Sequence, residues 1–223
     1  EYFLLACLLG ILHHQRIAFL SYPYRHLVPY LRTKQFPREE FPNLYTYKEV
    51  GPRFINKIER AFKRFSNYDP TLSKKCLCGD ATNIKLPNNS IDAVITSPPY
   101  MNTLDYGRDN RLRLWFLGIE DYRYLDERNP ASINDFESLL EGTLNNLKHM
   151  LKEKAYCIFI LGEVCRSKNP IDTHSIFQEI AINRVGGFKI VDIIEDRIPH
   201  ERRTRKNGKR TKLEWINVLQ KEN

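Results

Sequence analysis

The sequence contains no apolar run long enough to cross a membrane. The run at residues 2–12, YFLLACLLGIL, has 11 residues, whereas a spanning helix needs about 20. No basic stretch precedes this run and no small-residue cleavage site follows it, which argues against a signal peptide. We therefore expect a buried helix here, no membrane contact and a cytoplasmic location.

The sequence also lacks C-x-x-C spacing, and its five cysteines are odd in number. Such a set is unlike a disulfide framework and predicts a reduced, intracellular protein. Cys76 and Cys78, even when combined with His13 and His14, match no common zinc pattern. We favour packing of the two cysteines within a strand and expect no metal site.

Negative charge is scarce relative to positive charge. Lys and Arg total 35 against 27 for Asp and Glu, which gives a net charge of +8. This excess predicts a polyanionic partner, and nucleic acid is the first candidate. The apolar content of 42% is enough for a packed core, so a folded protein is expected.

Two patterns divide the chain near residue 70. Residues 1–70 predict a helical N-terminal segment, and residues 71–223 alternate short β-like runs with helices, which predicts an α/β fold. In the first part, residues 50–65 form an amphipathic helix. We interpret its basic face as solvated, with a phosphate-facing surface as the alternative. Its apolar positions are Phe54, Ile58, Ala61, Phe62 and Phe65, and its basic ones Arg53, Lys57, Arg60, Lys63 and Arg64.

The α/β region has a regular order of predicted elements. Gly186 and Gly187 should end its second helix, because glycine commonly ends helices. The last two strands follow each other without a helix between them, so we expect them to pair antiparallel. The predicted strands are 76–81, 91–96 (fully buried), 155–162, 188–195 and 213–220, and the predicted helices are 135–152 and 171–185. In the first of these helices the side chains expected to point inward are Phe136, Leu139, Leu140, Leu144, Leu147 and Leu151.

The sequence TSPPY, residues 96–100, ends the predicted buried strand. Open α/β sheets bind ligands outside the carboxyl ends of their strands, so this position makes the loop a candidate site. Ser97 and Pro98 each precede a proline and are held extended. Because Pro98 and Pro99 have no N–H group, the loop offers the Ser97 hydroxyl and two carbonyl oxygens as acceptors.

This loop chemistry suits a nucleobase. An exocyclic base amine donates two hydrogens, and acceptors in fixed directions would localise its lone pair for attack on a methyl group. Tyr100 offers a ring for base stacking, which contributes about 1 to 3 kcal/mol in comparable contacts. The loop therefore predicts a site for an extruded base, with a simple Pro-Pro turn as the alternative.

The loop and its continuation DYGRDNRLRLWFLG resemble motif IV of the amino-methylating, SPPY-type, site-specific DNA methyltransferases. The resemblance implies a Rossmann-like class I methyltransferase sheet with an antiparallel C-terminal strand pair, S-adenosylmethionine as cofactor and DNA as partner. It also implies methylation of cytosine N4 in preference to adenine N6. The implied catalytic residues are Ser97, Pro98, Pro99 and Tyr100. The implied cofactor-binding residues are Asp80, Thr96 and Ser97.

One family feature is missing. The family binds S-adenosylmethionine with an F-x-G-x-G loop, whereas these 223 residues contain no G-x-G. Glycine in that loop lets the backbone approach the cofactor closely. We expect the loop and the first strands of the sheet to come from a missing N-terminal segment or from a second chain. Without that loop, the isolated chain would be inactive.

A basic segment lies between the last two predicted strands. Residues 201–211 carry six basic side chains and one acidic one, with a turn signal at Asn207-Gly208. We expect a hairpin tip that contacts DNA phosphates. Its basic residues are Arg202, Arg203, Arg205, Lys206, Lys209 and Arg210.

Three other functional interpretations stay open. The substrate amine could belong to an RNA base or to a protein glutamine, and the chain could be a non-catalytic DNA-binding subunit of a split methyltransferase. Arg108, Arg111 and Arg113, which follow the TSPPY loop, either contact phosphate as well or anchor their helix.

Overall fold

The computed structural model describes residues 1–12, 37–63, 69, 71–101, 106–127, 129–164, 171–198 and 213–222. They divide into two compact units, Glu1–Lys75 with Asp105–Asp126, and Cys76–Leu104 with Glu127–Asn223. Within the described residues, no helix has both the length and the apolar character needed to cross a membrane.

The described elements form a mixed α/β architecture. The helices are α1 Tyr2–Leu9, α2 Val50–Lys63, α3 Tyr106–Phe116, α4 Arg123–Glu127, α5 Ile133–Met150 and α6 Thr173–Glu179, with a short 3₁₀ turn at Pro42–Tyr45 and a π-helical extension of α6 at Ile180–Val185. The strands are β1 Ile91–Thr96, β2 Leu151–Gly162, β3 Phe188–Arg197 and β4 Leu213–Lys221.

The first unit is more exposed than its sequence predicted. The expectation of a buried helix at α1 is wrong for most of its surface, since Tyr2 is 85% exposed while Cys7 packs inward. The amphipathic helix α2 is confirmed, yet none of its described side chains is buried. Phe62 instead packs edge-on against Phe3, with ring centroids 5.2 Å apart. Phe65 and Arg64 lie outside the described residues.

The sheet has the strand order β1-β2-β4-β3. β1 pairs parallel with β2, while β4 pairs antiparallel with both β2 and β3. The predicted antiparallel pairing of the last two strands is thus confirmed. As a result, the carboxyl ends of β1 and β2, the carboxyl end of β3 and the start of β4 share one edge of the sheet.

Helix α5 covers one face of the sheet. A capping box between Ser132 and Asp135 starts this helix, because each side chain accepts from the backbone N–H of the other residue. The helix ends at Met150, and Leu151, predicted as its last inward residue, is instead the first residue of β2. Of the predicted inward positions, Phe136, Leu140, Leu144 and Leu147 are buried and Leu139 is half-buried.

Helix α6 and its π-helical extension pack beside α5 on the same face. Phe177 and Ile180 are fully buried there, with Phe177 packing against Phe159 of β2 at a ring distance of 4.8 Å. Gly186 and Gly187 follow with φ of +66° and +74°. These left-handed values confirm the predicted glycine stop, since residues with a Cβ rarely adopt them.

Two strand predictions need correction. Residues 76–81 are not a strand, and Cys76 and Cys78 are exposed rather than packed. Strand β1 exists as predicted but is not fully buried, because Ile95 is 72% exposed. Side chains alternate between the two faces of a sheet. The register pairs Ile95 with Ile158, which shares the face of Tyr156, opposite α5.

Candidate active site

The TSPPY loop starts where β1 ends. Thr96, the last residue of β1, pairs with Phe159 in the middle of β2, so Ser97 is the first residue beyond the shorter strand. The Ser97 side chain is exposed and Tyr100 is half-buried. Met101 is completely buried in the core. The loop is therefore held at one end by β1 and at the other by Met101.

Ser97 and Tyr100 are in contact within this loop. The Ser97 hydroxyl donates a long hydrogen bond, 3.4 Å, to the phenol oxygen of Tyr100. The Tyr100 hydroxyl in turn donates to Glu214 Oε1 over 2.6 Å. The structure thus brings together two of the predicted site residues and a carboxylate from the start of β4.

Sequence reasoning did not identify Glu214. It stands at the start of the predicted last strand, beside the basic segment, where a charged residue is ordinary. The antiparallel pairing of β4 with β2 is the feature that could have identified it, because this pairing places the start of β4 at the edge where β1 and β2 end. Glu214 pairs with Gly162, the last residue of β2.

The strand next to Glu214 is held by a polar cluster. His174 of α6 stacks on Trp215 with ring centroids 5.4 Å apart. Its Nδ1 lies 2.7 Å from Asn217 Oδ1, and the Asn217 Nδ2 donates to the Phe159 carbonyl. Asn217 Oδ1 can only accept, so this contact assigns the proton to His174 Nδ1. Because Asn217 is buried, these bonds fix the start of β4 against β2 and α6.

Asp80 occupies a different setting from the one expected. It lies in an exposed turn rather than at the end of a strand, and its Oδ1 accepts from the backbone N–H and the hydroxyl of Thr82. Asn146 of α5 holds this turn through bonds to the carbonyls of Ala81 and Ile84. The turn is thus fixed against α5.

The basic residues predicted to contact DNA lie outside the described residues. They are Arg202, Arg203, Arg205, Lys206, Lys209 and Arg210. The chain leaves the sheet after Arg197 and re-enters it at Leu213, and these two residues pair at the edge that carries the TSPPY loop.

Arg113 has an anchoring role. Its Nε donates to the Leu9 carbonyl at the end of α1, and its Nη1 donates to Asn110 Oδ1. Burial lowers the pKa of Arg113. Arg113 therefore anchors its helix, which is one of the two roles considered for the arginines after the TSPPY loop.

Part of the chain is similar in sequence to a methyltransferase. Over 98 residues the chain is 29% identical to Type II methyltransferase M.BsoBI of Geobacillus stearothermophilus. The match spans 43% of the chain and only 18% of that protein. No protein-family model matches the chain.

Solved structures of TTHA0409 from Thermus thermophilus, a proposed DNA modification methylase, also match. The form complexed with S-adenosyl-L-methionine has a TM-score of 0.43 at 19% identity, over 65% of this chain and 54% of that one. Another form has a TM-score of 0.42 at 22% identity, over 65% and 52%. The chain thus spans about half of these structures.

Proposed function

We propose that the chain is the catalytic region of an S-adenosylmethionine-dependent DNA methyltransferase that modifies an exocyclic base amine, cytosine N4 in preference to adenine N6. The arrangement of the TSPPY loop carries this proposal. An exposed Ser97 and a half-buried Tyr100 stand together at the edge of the mixed sheet where β1 and β2 end. The partial similarity to a Type II methyltransferase agrees with it.

The residues of the loop have distinct proposed roles. The Ser97 hydroxyl and the Pro98 carbonyl accept the two amine hydrogens of a flipped base, which directs the nitrogen lone pair outward. Pro99 keeps Pro98 extended. Tyr100 stacks on the base and limits its rotation. S-adenosylmethionine bound beside the loop would supply the methyl carbon to this lone pair. The nitrogen–carbon bond would form as the carbon–sulfur bond breaks, with S-adenosylhomocysteine as the leaving group and the amine proton released to water.

The described residues are proposed to form part of a cofactor site. S-adenosylmethionine supplies an electrophilic methyl group, which must lie within reach of the amine held by the loop. Thr96 and Ser97, at the end of β1, are the residues proposed to hold it. Asp80 is a weaker candidate for binding the cofactor's adenine, because Thr82 already occupies one of its carboxylate oxygens.

The rest of the pocket is proposed to come from a glycine-rich segment outside these 223 residues, which contain no G-x-G. Exposed apolar side chains on the face of the sheet opposite α5 support this proposal. Ile95 and Tyr156 lie on that face with exposed fractions of 72% and 44%. Apolar faces of open α/β sheets are normally covered by helices. Calorimetry should therefore detect cofactor binding by the full-length gene product and not by the isolated chain.

DNA is the proposed partner. The net charge of +8 fits a polyanion. Arg197 and Leu213, the strand residues on either side of the basic segment, pair at the edge of the sheet that carries the TSPPY loop, so the segment's arginines and lysines are the proposed phosphate contacts. Replacing all six with alanine should weaken duplex binding and flatten its dependence on salt concentration.

Mass spectrometry of nucleosides tests the proposed function. The full-length gene product is expressed in cells without methyltransferases, beside a Ser97→Ala variant and the matched control Ser90→Ala, whose exposed hydroxyl donates to the Pro87 carbonyl of its own turn. We expect N4-methylcytosine in DNA with the wild type and the control, and none with Ser97→Ala. N6-methyladenine instead would correct the target base, and modified RNA or glutamine without modified DNA would contradict the proposal.

A further inference from the structure

The Tyr100 hydroxyl lies between two partners of opposite role. It accepts from Ser97, and it donates to Glu214, 114 positions further along the chain. A phenol that donates to a carboxylate over 2.6 Å forms a charge-assisted hydrogen bond, which is stronger than a neutral one. The ring of Tyr100 is thus held from its far end as well as by its own backbone.

Glu214 reaches Tyr100 because β2 extends beyond β1. Thr96 pairs with Phe159 of β2, and Gly162, three residues further on, pairs with Glu214. At about 3.3 Å per residue, Glu214 therefore lies about 10 Å beyond the end of β1. A loop that runs forward from Thr96 meets this carboxylate, and the cluster of His174, Trp215 and Asn217 fixes the strand that carries it.

We propose that Glu214 is a positioning residue for methyl transfer, which acts by fixing the Tyr100 ring for base stacking. The inference rests on the proposed function of the TSPPY loop. A ring that is already fixed gives up less rotational freedom when a base stacks on it, so the transition state is reached with a smaller entropic cost. Glu214 itself touches neither base nor cofactor in this role.

The same contacts would permit a different role, in which protons pass from Ser97 through Tyr100 to the carboxylate. Glutamine at position 214 separates the two roles. Its amide oxygen still accepts from the Tyr100 hydroxyl, but it cannot take up a proton as a carboxylate does. A positioning role therefore predicts rescue by Glu214→Gln, whereas a relay predicts the same loss as Glu214→Ala.

Steady-state methyl transfer to DNA by the full-length gene product provides the first test. We expect Glu214→Ala to lower kcat/KM about 10- to 100-fold, the range for a lost hydrogen bond to a charged group. Glu214→Gln should stay within about fivefold of the wild type. Tyr100→Phe should match Glu214→Ala, and the double variant should be no worse than either. The control Glu222→Ala, an exposed carboxylate just after the opposite end of β4, should be unchanged.

An unchanged rate in Glu214→Ala would overturn the proposal, as would a loss in Glu214→Gln as large as that in Glu214→Ala. A readout that needs no activity uses 3-fluorotyrosine at position 100. Its ¹⁹F resonance should move in Glu214→Ala and not in Glu222→Ala, and a resonance that stays fixed in both would also overturn the proposal. A wild type that transfers no methyl group would refute the proposed function, while the ¹⁹F result would still test the contact.

Discussion

Gly107 and Asp126 are joined by a hydrogen bond of 2.6 Å, from the Gly107 backbone N–H to Asp126 Oδ1. The second carboxylate oxygen accepts from the N–H of Arg108 over 3.0 Å. These two N–H groups belong to the first turn of α3, which has no helical partners for them. Asp126 thus caps, from a distant position, the helix that follows the TSPPY loop.

Removing this cap should destabilise the first unit. We expect Asp126→Ala to lower the free energy of unfolding by about 0.5 to 2 kcal/mol, the usual effect of losing a helix cap. Urea unfolding measures the change. Glu120→Ala, which removes an exposed carboxylate from the same region, is the control and should have little effect. Equal stability of the two variants would contradict the capping role.

Gly107 should tolerate no side chain. A Cβ at this position would overlap the carbonyl oxygen of Tyr122, which is backbone and cannot turn aside. Gly107→Ala should therefore unfold at clearly lower urea than the wild type. The matched control is Gly51→Ala, near the start of α2, where a Cβ meets nothing within 4 Å. Substitutions with equal effects at the two glycines would show that the close approach to Tyr122 is absent.

Thiol reactivity should separate the cysteines. Burial raises the pKa of Cys157 to about 12, so almost no thiolate is present near neutral pH. Cys76 and Cys78 are exposed. At about pH 8, near the ordinary thiol pKa, peptide mass spectrometry should find Cys76 and Cys78 alkylated within minutes and Cys157 only after urea is added. Rapid alkylation of Cys157 in the folded protein would contradict its place in the core.

Asp172 should make stability depend on pH in the acid range. Burial tends to raise the pKa of Asp172, but hydrogen bonds from Ser175, together with the charge and a backbone hydrogen bond of His174, outweigh it, and the net pKa lies below the ordinary value of 3.8. A depressed carboxyl pKa stabilises the folded state above pH 3.8, and that contribution disappears as the pH falls through the folded pKa. Asp172 also caps α6.

The variant Asp172→Ala tests this effect. At neutral pH we expect it to be less stable than the wild type by about 1 kcal/mol, the typical effect of losing a helix cap. Because the wild type loses its carboxylate in acid, the gap between the two should narrow as the pH falls below 3.8. The difference in urea midpoint between the wild type and Asp172→Ala could instead be the same at neutral pH and well below pH 3.8. That result would contradict the carboxylate as the source of the difference.

Local sequence predicted the elements whose determinants are nearby in the chain. The α5 and α6 helices carry their own signals, such as the inward leucines of α5 and the glycines at 186 and 187. The strand predicted at residues 76–81 is wrong because apolar alternation alone does not make a strand. A strand also needs a neighbour with which to pair, whereas Asp80 and Thr82 turn the chain here and Asn146 fixes that turn to α5.

The candidate site was predictable in part for the same reason. Ser97 and Tyr100 lie within one short motif, so their proximity follows from sequence. Glu214 is 114 positions from Tyr100, and only the pairing of β2 with β4 brings the two together. No local pattern around Glu214 distinguishes it from an ordinary charged residue at the start of a strand.

Transfer of a labelled methyl group from S-adenosylmethionine to unmethylated DNA tests the central claim most directly. The full-length wild type is compared with Ser97→Ala and Tyr100→Ala, and with the controls Ser90→Ala and Tyr47→Ala, the latter at a tyrosine that is 84% exposed. We predict a loss of about 100-fold or more in both loop variants, as for other groups that stabilise a reacting centre, with duplex affinity and the controls unchanged. Loop variants that transfer label at the wild-type rate would contradict the account.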